Sequence, residues 1–338
     1  MNSRQDFAAR MSTLELEAAT GFYPGAILID EFDKQIFDDV YRRYVLFNRI
    51  KKIKAPGETT GGFTQTALGN ARVAPVRNLG FTPTNPTRSE RVRRDIKAIV
   101  KDIQFGAFDL SVYGQQGNRY GDLEAKDVAD QKNAALRLWS TLIYTGDIDN
   151  DANEFDGLNE ILGAGENIST SESIVDAINR NCAEMVNNKD QLVLPTAIYT
   201  NAYVAFMIGQ ELLALGINVN IQQTSIFNGN NPMQVMFLNT PAGALPVISD
   251  PFNVGTTTTP YVYDLHILTE DLVSWQYVEV LGQAGADPKT FEMVLNNVLD
   301  KQFKTVMFGA LELIGGTTHH RRLEIATRTV VIKPAATA

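Results

Sequence analysis

Apolar residues recur in steps of three and four at Ile29, Phe32, Ile36, Val40, Tyr44 and Phe47. This spacing predicts a helix over 30–48 with one core-facing stripe. Ahead of it, residues 1–26 read as an arm. "MSTLELEAA" is compatible with a short helix, but Gly21 and Pro24-Gly25 interrupt it. A longer periodic segment follows Gly121. Val128, Ala135, Leu138 and Leu142 form one stripe, and Trp139 and Ile143 widen it. Asp122 suits the cap, while Glu124 and Asp127 suit the positive helix end. The helix so predicted, 122–144, spans on the order of 34 Å at 1.5 Å per residue, long enough to serve as a spine. Just before it, "RVRRDIKAIVKDIQFGAFDLSVY" (91–113) joins a basic, polar half to an alternating half. It reads as a long strand, although Val92, Ile96, Ile99 and Ile103 also fit a helix.

After "GLNEIL" (157–162) the pattern is α/β. "STSE" at 169–172 resembles a capping box for a helix with Ile174, Ile178, Cys182 and Met185 on one face. "QLVLP" reads as a short buried strand running into Pro195, which opens a helix over 196–215 that Gly216 stops. "INVNI", "QVMFL", "LPVIS", "YVYDLHIL" and "LVSWQYVEVL" are strand stretches separated by Gly, Pro, Asn and Thr. Residues 290–303 read as helical. "KTVMFGALELI" and "RRLEIATRTVVI" close the chain as two strands around Gly315-Gly316, before a small tail at 334–338.

Residues 55–90 follow neither period. Thr, Gly and Pro dominate, there is no lysine, and four prolines exclude a central strand. Thr, Val and Phe favour extended chain, so an extended hairpin or long loop results, far longer than an ordinary connection. A lone two-stranded ribbon is marginal in water. Ordering it costs about 1 kcal/mol or more per residue. Phe63, Val73, Val76, Leu79 and Phe81 are too few for a private core. The loop is therefore expected to lie on another molecule, with a disordered surface loop as the alternative.

Composition narrows the class. The chain has 338 residues, with 44% hydrophobic and 20% charged, which is globular composition with room for two domains. No run approaches the roughly 18 apolar residues that span a bilayer, and the first 20 residues lack the apolar core of a signal peptide. The single cysteine, Cys182, excludes an intrachain disulfide and fits a cytosolic history. A net charge of −9 argues against a protein that coats phosphate by charge neutralisation.

One stretch invites a chemical reading. "TGDIDNDANEFDGL" (145–158) places Asp147, Asp149, Asp151, Glu154 and Asp156 within ten residues. A calcium loop, a catalytic acid pair and a hydrated link are the candidates. Counted from Asp147, an EF-hand needs Gly at the sixth position and Glu at the twelfth; Ala152 and Leu158 stand there. A hydrated link is the default. Elsewhere there is no P-loop and no Gly-x-Ser-x-Gly elbow, and "GAGENI" at 163–168 lacks a third glycine. Cys182 lies on an apolar helical face and reads as packing. His266 falls in a strand. His319-His320 beside Arg321-Arg322 reads as a solvated turn rather than a phosphate contact. No catalytic, metal-binding or cofactor-binding residue is assigned, and an enzyme is not expected.

Taken in order, the parts resemble the major capsid proteins of tailed bacteriophages, the fold named after phage Hong Kong 97. "ALRLWSTLIYTGDIDNDANEFDGLNEIL" (135–162) resembles the end of that family's spine helix, its Gly-Asp step and its Gly-Leu re-entry. "QLVLPTAIYTNAYVAFM" (191–207) resembles the strand and helix of the axial domain, and "GALPVISDPFN" (243–253) its Pro-Val strand with a Ser-Asp turn. "YVYDLHIL" and the last strands resemble the return to the peripheral domain. The likeness covers most of 25–332.

The resemblance implies an α+β chain divided into an N-terminal arm and helix (1–50), an extended β loop (51–90), a peripheral domain with the spine helix (91–150), an α/β axial domain (151–285) and a return to the peripheral domain (286–338). It implies self-assembly into an icosahedral shell of hexamers and pentamers around double-stranded DNA. The shell would sit in the virion, built in the bacterial cytoplasm, with a portal protein at one vertex. Sequence-specific DNA binding and membrane contact are not implied. The loop becomes an intersubunit contact through Phe63, Arg72, Val73, Val76, Arg77, Leu79, Phe81 and Arg88. The five acids at 147–156 become the link between peripheral and axial domains. Some relatives weld subunits through a loop lysine; Gly57–Glu90 has none, so that bond is not expected. Only about 25 residues precede the arm helix, so scaffolding is expected from a separate protein or not at all, and a cementing protein is a further candidate partner. An encapsulin-like compartment and a soluble α/β enzyme or ligand-binding protein remain as alternatives.

Overall fold

Two large sheets and a hairpin organise the chain. The structure, a computed structural model, describes residues 44–67, 85–107, 123–187, 194–217, 220–224, 233–255, 262–294 and 301–326. In order these form α1 (Val45–Arg49), β1 (Lys51–Lys54), β2 (Phe63–Ala67), β3 (Thr87–Glu90), β4 (Lys97–Phe105), α2 (Leu123–Thr145), α3 (Leu158–Leu162), β5 (Glu166–Ile168), α4 (Ile174–Val186), β6 (Ala197–Thr200), α5 (Ala202–Ala214), β7 (Asn220–Thr224), β8 (Met233–Thr240), β9 (Gly243–Ser249), β10 (Val262–Leu268), β11 (Val273–Val278), β12 (Lys289–Val294), β13 (Lys301–Leu313), α6 (Gly316–His319) and β14 (Arg321–Ala326). One sheet runs β1-β11-β13-β12, with β4 also pairing β13. The second has seven strands in the order β5-β14-β10-β6-β9-β8-β7. Among the described residues β2 and β3 pair only with each other.

By contacts the chain divides into two units. Among the described residues the smaller comprises 102–107, 123–130, 291–294 and 301–304. Within it Phe105 meets Phe303 edge-on at 5.8 Å, and Lys304 lies 3.7 Å from Asp102. The larger unit contains all remaining described residues.

The larger unit has two apolar clusters, and the seven-stranded sheet divides them. Alternate residues of one strand point to opposite faces. Ala197 and Tyr199 of β6 and Ile248 of β9 join one cluster, while Ile198 and Val247 join the other. Burial on both faces explains the near-continuous apolar runs of these strands. The first cluster centres on aromatic rings. Trp275 is met edge-on by Trp139 at 5.4 Å and by Phe155 at 5.0 Å, and Phe47 meets Trp139 at 4.8 Å. Gly309 faces Tyr277 across β13 and β11, and a Cβ there would lie 2.3 Å from the Trp275 ring. The second cluster packs α4 and α5 on the sheet.

The spine helix stands at Leu123–Thr145; its buried face runs through Ala135, Trp139 and Ile143, whereas Leu138 of the expected stripe is exposed, so the core-facing line is one residue round from it. Of the helix expected over 30–48, Val45–Arg49 is helical and 30–43 lie outside the described residues. Three readings are corrected. The helix after "STSE" is capped by Ser173, not Ser169: Ser173 Oγ accepts from Asp176 N at 3.2 Å. Pro195 precedes strand β6 rather than opening a helix, and the helix begins after Asn201, whose side chain accepts from Val204 N at 2.8 Å. Of the helix expected over 290–303, residues 290–294 belong to strand β12 and 301–303 open strand β13, whose remainder agrees with the strand expected from "KTVMFGALELI". Long-range pairing within the first sheet decides that segment, and local periodicity does not encode it. The strand expected over 91–113 starts at Lys97; residues 91–96 pair instead with the first limb of the long loop, and 108–113 are not described.

Candidate assembly interface at the root of the long loop

The long loop leaves the body through an antiparallel ladder. Arg91 N donates to Gly62 O at 2.9 Å, Thr60 N to Arg94 O at 2.8 Å, and Ile96 N to Glu58 O at 2.9 Å. Thr60 is fully buried, and its Oγ1 accepts from Arg94 N at 3.0 Å. Two arginines fasten this root. Arg91 Nη1 donates to Glu312 Oε1 at 2.8 Å, and the other Glu312 oxygen accepts from Gln276 Nε2. Arg94 Nε lies 3.3 Å from Asp156 Oδ2. Glu312 is a charge embedded in the apolar strand β13. The arginine and the amide together satisfy a carboxylate that would be costly to bury alone.

Beyond the root, exposed side chains line both described strands of the ribbon. β2 and β3 pair with Phe63 opposite Glu90 and Gln65 opposite Arg88. All of Thr87–Glu90 is exposed, and Phe63 is 72% exposed. Of the eight predicted contact residues, Phe63 and Arg88 therefore lie on this ribbon. Arg72, Val73, Val76, Arg77, Leu79 and Phe81 lie outside the described residues. An open cavity of about 800 Å³ sits against the root, lined by Ala55, Pro56, Ile96, Val278 and Phe308, with Glu58, Asp95 and Lys97 among its polar groups.

The acidic stretch is more ordered than a hydrated link. Gly146 N donates to Leu142 O at 2.7 Å and Gly157 N to Gly146 O at 2.8 Å, so the two ends meet and close an Ω-like loop. The glycines permit that approach: a Cβ on Gly146 would lie 2.3 Å from Phe155 O, and one on Gly157 2.6 Å from Leu142 O. The carboxylates cap the loop's own amides. Asp147 Oδ1 accepts from Asp149 N at 2.8 Å, Asp151 Oδ1 from Asn153 N at 2.9 Å, and Glu154 Oε2 from Asp147 N at 3.2 Å. Asp156 adds its pair with Arg94, Lys97 Nζ donates to Ala152 O at 2.7 Å, and Phe155 is buried against Trp275. Of the five predicted acids, Asp147, Asp151 and Glu154 thus brace the loop from within, and Asp156 ties it to the loop root through Arg94. Sequence reasoning missed Arg91, Arg94 and Glu312. A lone charge inside "GALELI" was the signal for a buried partner.

Of the His319-His320-Arg321-Arg322 run, His319 and Arg321 are partly exposed, but His320 and Arg322 are not in a solvated turn. His320 is fully buried: its Nδ1 accepts from Thr269 N at 3.3 Å, which leaves Nε2–H for Ile314 O at 3.3 Å. Burial lowers its pKa to about 3. Arg322 Nε donates to the buried Asp264 at 3.0 Å. Asn159 Nδ2 donates to the same carboxylate at 2.9 Å, so Asn159 Oδ1 accepts from His266 Nε2 at 2.9 Å. Burial, and secondarily Arg322, lowers the His266 pKa to about 3. Nearby, the buried Asp250 accepts from Tyr144 Oη at 2.9 Å and from Phe252 N at 3.0 Å. Burial still raises its pKa to about 6. These are satisfied structural groups at the packing of the spine helix end on the seven-stranded sheet.

Little supports catalytic chemistry. Cys182 is buried, and burial raises its thiol to about 11, far from a nucleophile's range. Among the described residues no group of three or more metal-ligating side chains converges, and no helix is long and apolar enough to cross a membrane.

No protein-family model matches the chain, and no curated protein matches it by sequence. Solved structures do match by shape. The capsid of cyanophage A-1(L) superposes with a TM-score of 0.59 at 13% identity, over 91% of this chain and 98% of that one. The SrpI encapsulin of Synechococcus elongatus gives 0.58 at 9% identity, over 96% and 98%. The capsid of myovirus XM1 gives 0.55 at 10% identity, over 90% and 99%. Matches that span nearly the whole of both chains assign the architecture: mixed helix and strand, in the Hong Kong 97-type fold that these phage capsid and encapsulin chains share.

Proposed function

We propose that this chain is the major capsid protein of a tailed phage, a non-enzymatic subunit whose copies form an icosahedral shell around double-stranded DNA. The carrying observation is the ribbon rooted by Arg91–Glu312 and Arg94–Asp156, with Phe63 72% exposed and Thr87–Glu90 exposed. A two-stranded ribbon without a covering surface is marginal. A neighbouring copy supplies that surface. Phe63, Arg72, Val73, Val76, Arg77, Leu79, Phe81 and Arg88 are its contacts, and 1–50, 51–90, 91–150, 151–285 and 286–338 are the parts of each subunit. Each contact alone is weak, and shell closure multiplies them. A net charge of −9 suits a wall that holds packaged duplex without gripping it. A portal at one vertex, and separate scaffolding and cementing proteins, are the partners of this reading.

A second reading is an encapsulin-like compartment, favoured by the match covering 96% of this chain. The test is negative-stain microscopy of the purified protein, expressed alone and with its genomic neighbours. Closed shells that protect DNA from nuclease are expected. Shells filled with a protein cargo select the compartment instead, and a small monomer under every condition removes both readings.

A further inference from the structure

α4 and α5 pack side by side on the seven-stranded sheet, yet their outer faces differ. α4 presents Asp176, Arg180 and Glu184 to solvent at steps of four, the ordinary pattern of a water-facing helix. α5 and its exit present Tyr203, Phe206, Gln210, Leu213 and Ile217, at steps of three and four, with Leu215 beside them. Phe206 and Leu213 are 60% and 58% exposed. The one charged residue between 202 and 217 is Glu211, and it turns inward. Its carboxylate accepts from Ser173 Oγ at 2.9 Å, Ile174 N at 3.2 Å and Val175 N at 3.1 Å, capping the start of α4. The outer stripe is therefore without charge along its whole length. It is also pre-set. Tyr203 leans on Tyr263 at 5.1 Å, and Gly216 closes the helix in a Schellman turn, with Ile217 N donating to Leu212 O at 2.9 Å and Gly216 N to Leu213 O at 3.0 Å.

We infer that this α5 stripe is buried against a second copy of the chain. The uncharged face gives nothing for a partner recognised by charge, such as nucleic acid or a basic peptide, to hold. Its apolar area is of the order of 400–500 Å², within the range of functional patches. That is about half of the roughly 800 Å² per partner that a stable two-body complex buries. A surface of this size does not hold a free-standing complex. It suffices as one of several contacts that each copy makes in a closed assembly, where the contacts reinforce one another. The inference rests on the shell reading and adds to it a second contact surface, remote in sequence from the long loop.

The test compares the unaltered full-length chain, the double variant Phe206→Glu with Leu213→Glu, and a control, Asn187→Lys, at the exposed end of α4. Circular dichroism checks folding; assembly is followed by light scattering and electron microscopy across a concentration series. The expected result is shells from the unaltered chain and the control. The double variant should be folded, with its critical concentration for assembly raised at least about tenfold, as two charges would be stranded in an apolar contact. Shells from all three at the same concentration overturn the α5 contact and leave the shell reading intact. Folded monomers from all three, at every concentration and with genomic neighbours present, overturn both.

Discussion

Glu312, Asp264 and Glu211 each stand alone among apolar neighbours in "GALELI", "YVYDLHIL" and "FMIGQELLAL", and each is buried. A carboxylate in such a position must find donors, and here they are Arg91 with Gln276, Arg322 with Asn159, and the first amides of α4. That a partner was needed was legible in the sequence; which residue supplied it was not, because Arg91 and Glu312 are 221 positions apart. His319-His320 misled for the same reason. A polar pair after two glycines looks like a solvated turn, and only the packing around Thr269 and Ile314 buries His320. These groups set a pH dependence. His266 and His320 have folded pKa values near 3, below their ordinary 6.5. As pH falls through that window the unfolded chain takes up protons that the folded chain does not. Stability present above pH 6.5 is lost at up to about 1.4 kcal/mol per pH unit for each histidine. Asp250 acts oppositely. Its pKa is raised from 3.8 to about 6, so its contribution is present below 3.8 and lost as pH rises through 6. Urea titrations from pH 7 to pH 4 should show net loss of stability on acidification. His320→Gln should flatten that slope, and Asp250→Asn should steepen it between pH 6 and 4. One common slope for all three chains would show that these groups are not protonated as described.

At the scale of elements, the helices were readable where one face meets a core. The C-terminal limit of α2 was read to within a residue, though Leu138 of its stripe faces outward, and the face of α4 was assigned correctly. Boundaries failed where a signal has two meanings. Pro195 is tolerated equally at a helix start and at the head of a strand, and the second use is the one observed. The segment 290–303 carries apolar residues at helix-like spacing, but β12 and β13 are fixed by sheet pairing. The acidic stretch shows how much of a site lies in the backbone. Its carboxylates were visible, whereas the closure at Gly146 and Gly157 that makes them caps was not. The packing of α4 against α5 depends on a cap shared between elements, and this can be measured. Glu211→Ala removes the acceptor for Ile174 N and Val175 N and leaves both amides buried without that partner. The cost should be about 2–4 kcal/mol, seen as a lower urea midpoint at unchanged slope. Glu211→Gln, which keeps one acceptor oxygen, should lose less than half as much. Equal losses in the two variants would mean that the carboxylate's charge, and not its acceptor geometry, holds the start of α4.

On the scale of the whole molecule, body and ribbon are separable in energy. The ion pairs and backbone bonds that hold the loop's root involve 58–62 and 91–96, together with Gln276, Glu312 and Asp156. The hairpin base lies where Ala67 faces Thr87. Replacing 68–86 by Asn-Gly gives the two antiparallel strands a two-residue turn whose twist suits them and leaves the root untouched. The shortened chain should therefore fold with stability within about 0.5 kcal/mol of the full chain, as for changes remote from buried features. Assembly should respond differently. If the removed residues, with Arg72, Arg77 and the apolar Val73, Val76, Leu79 and Phe81, lie on a neighbouring acidic copy, their loss deletes a contact from every subunit. Sedimentation should then show folded, shell-free protein at concentrations where the full chain closes into particles. A companion variant separates charge from area. Arg72→Glu with Arg77→Glu should weaken assembly most at low salt, where attraction between a basic finger and an acidic neighbour is least screened, and approach the parent as salt rises. Normal particles from the shortened chain would mean that the ribbon is not what joins one copy to the next. A charge variant equally weak at all salt concentrations would mean that the arginines act by packing rather than by charge.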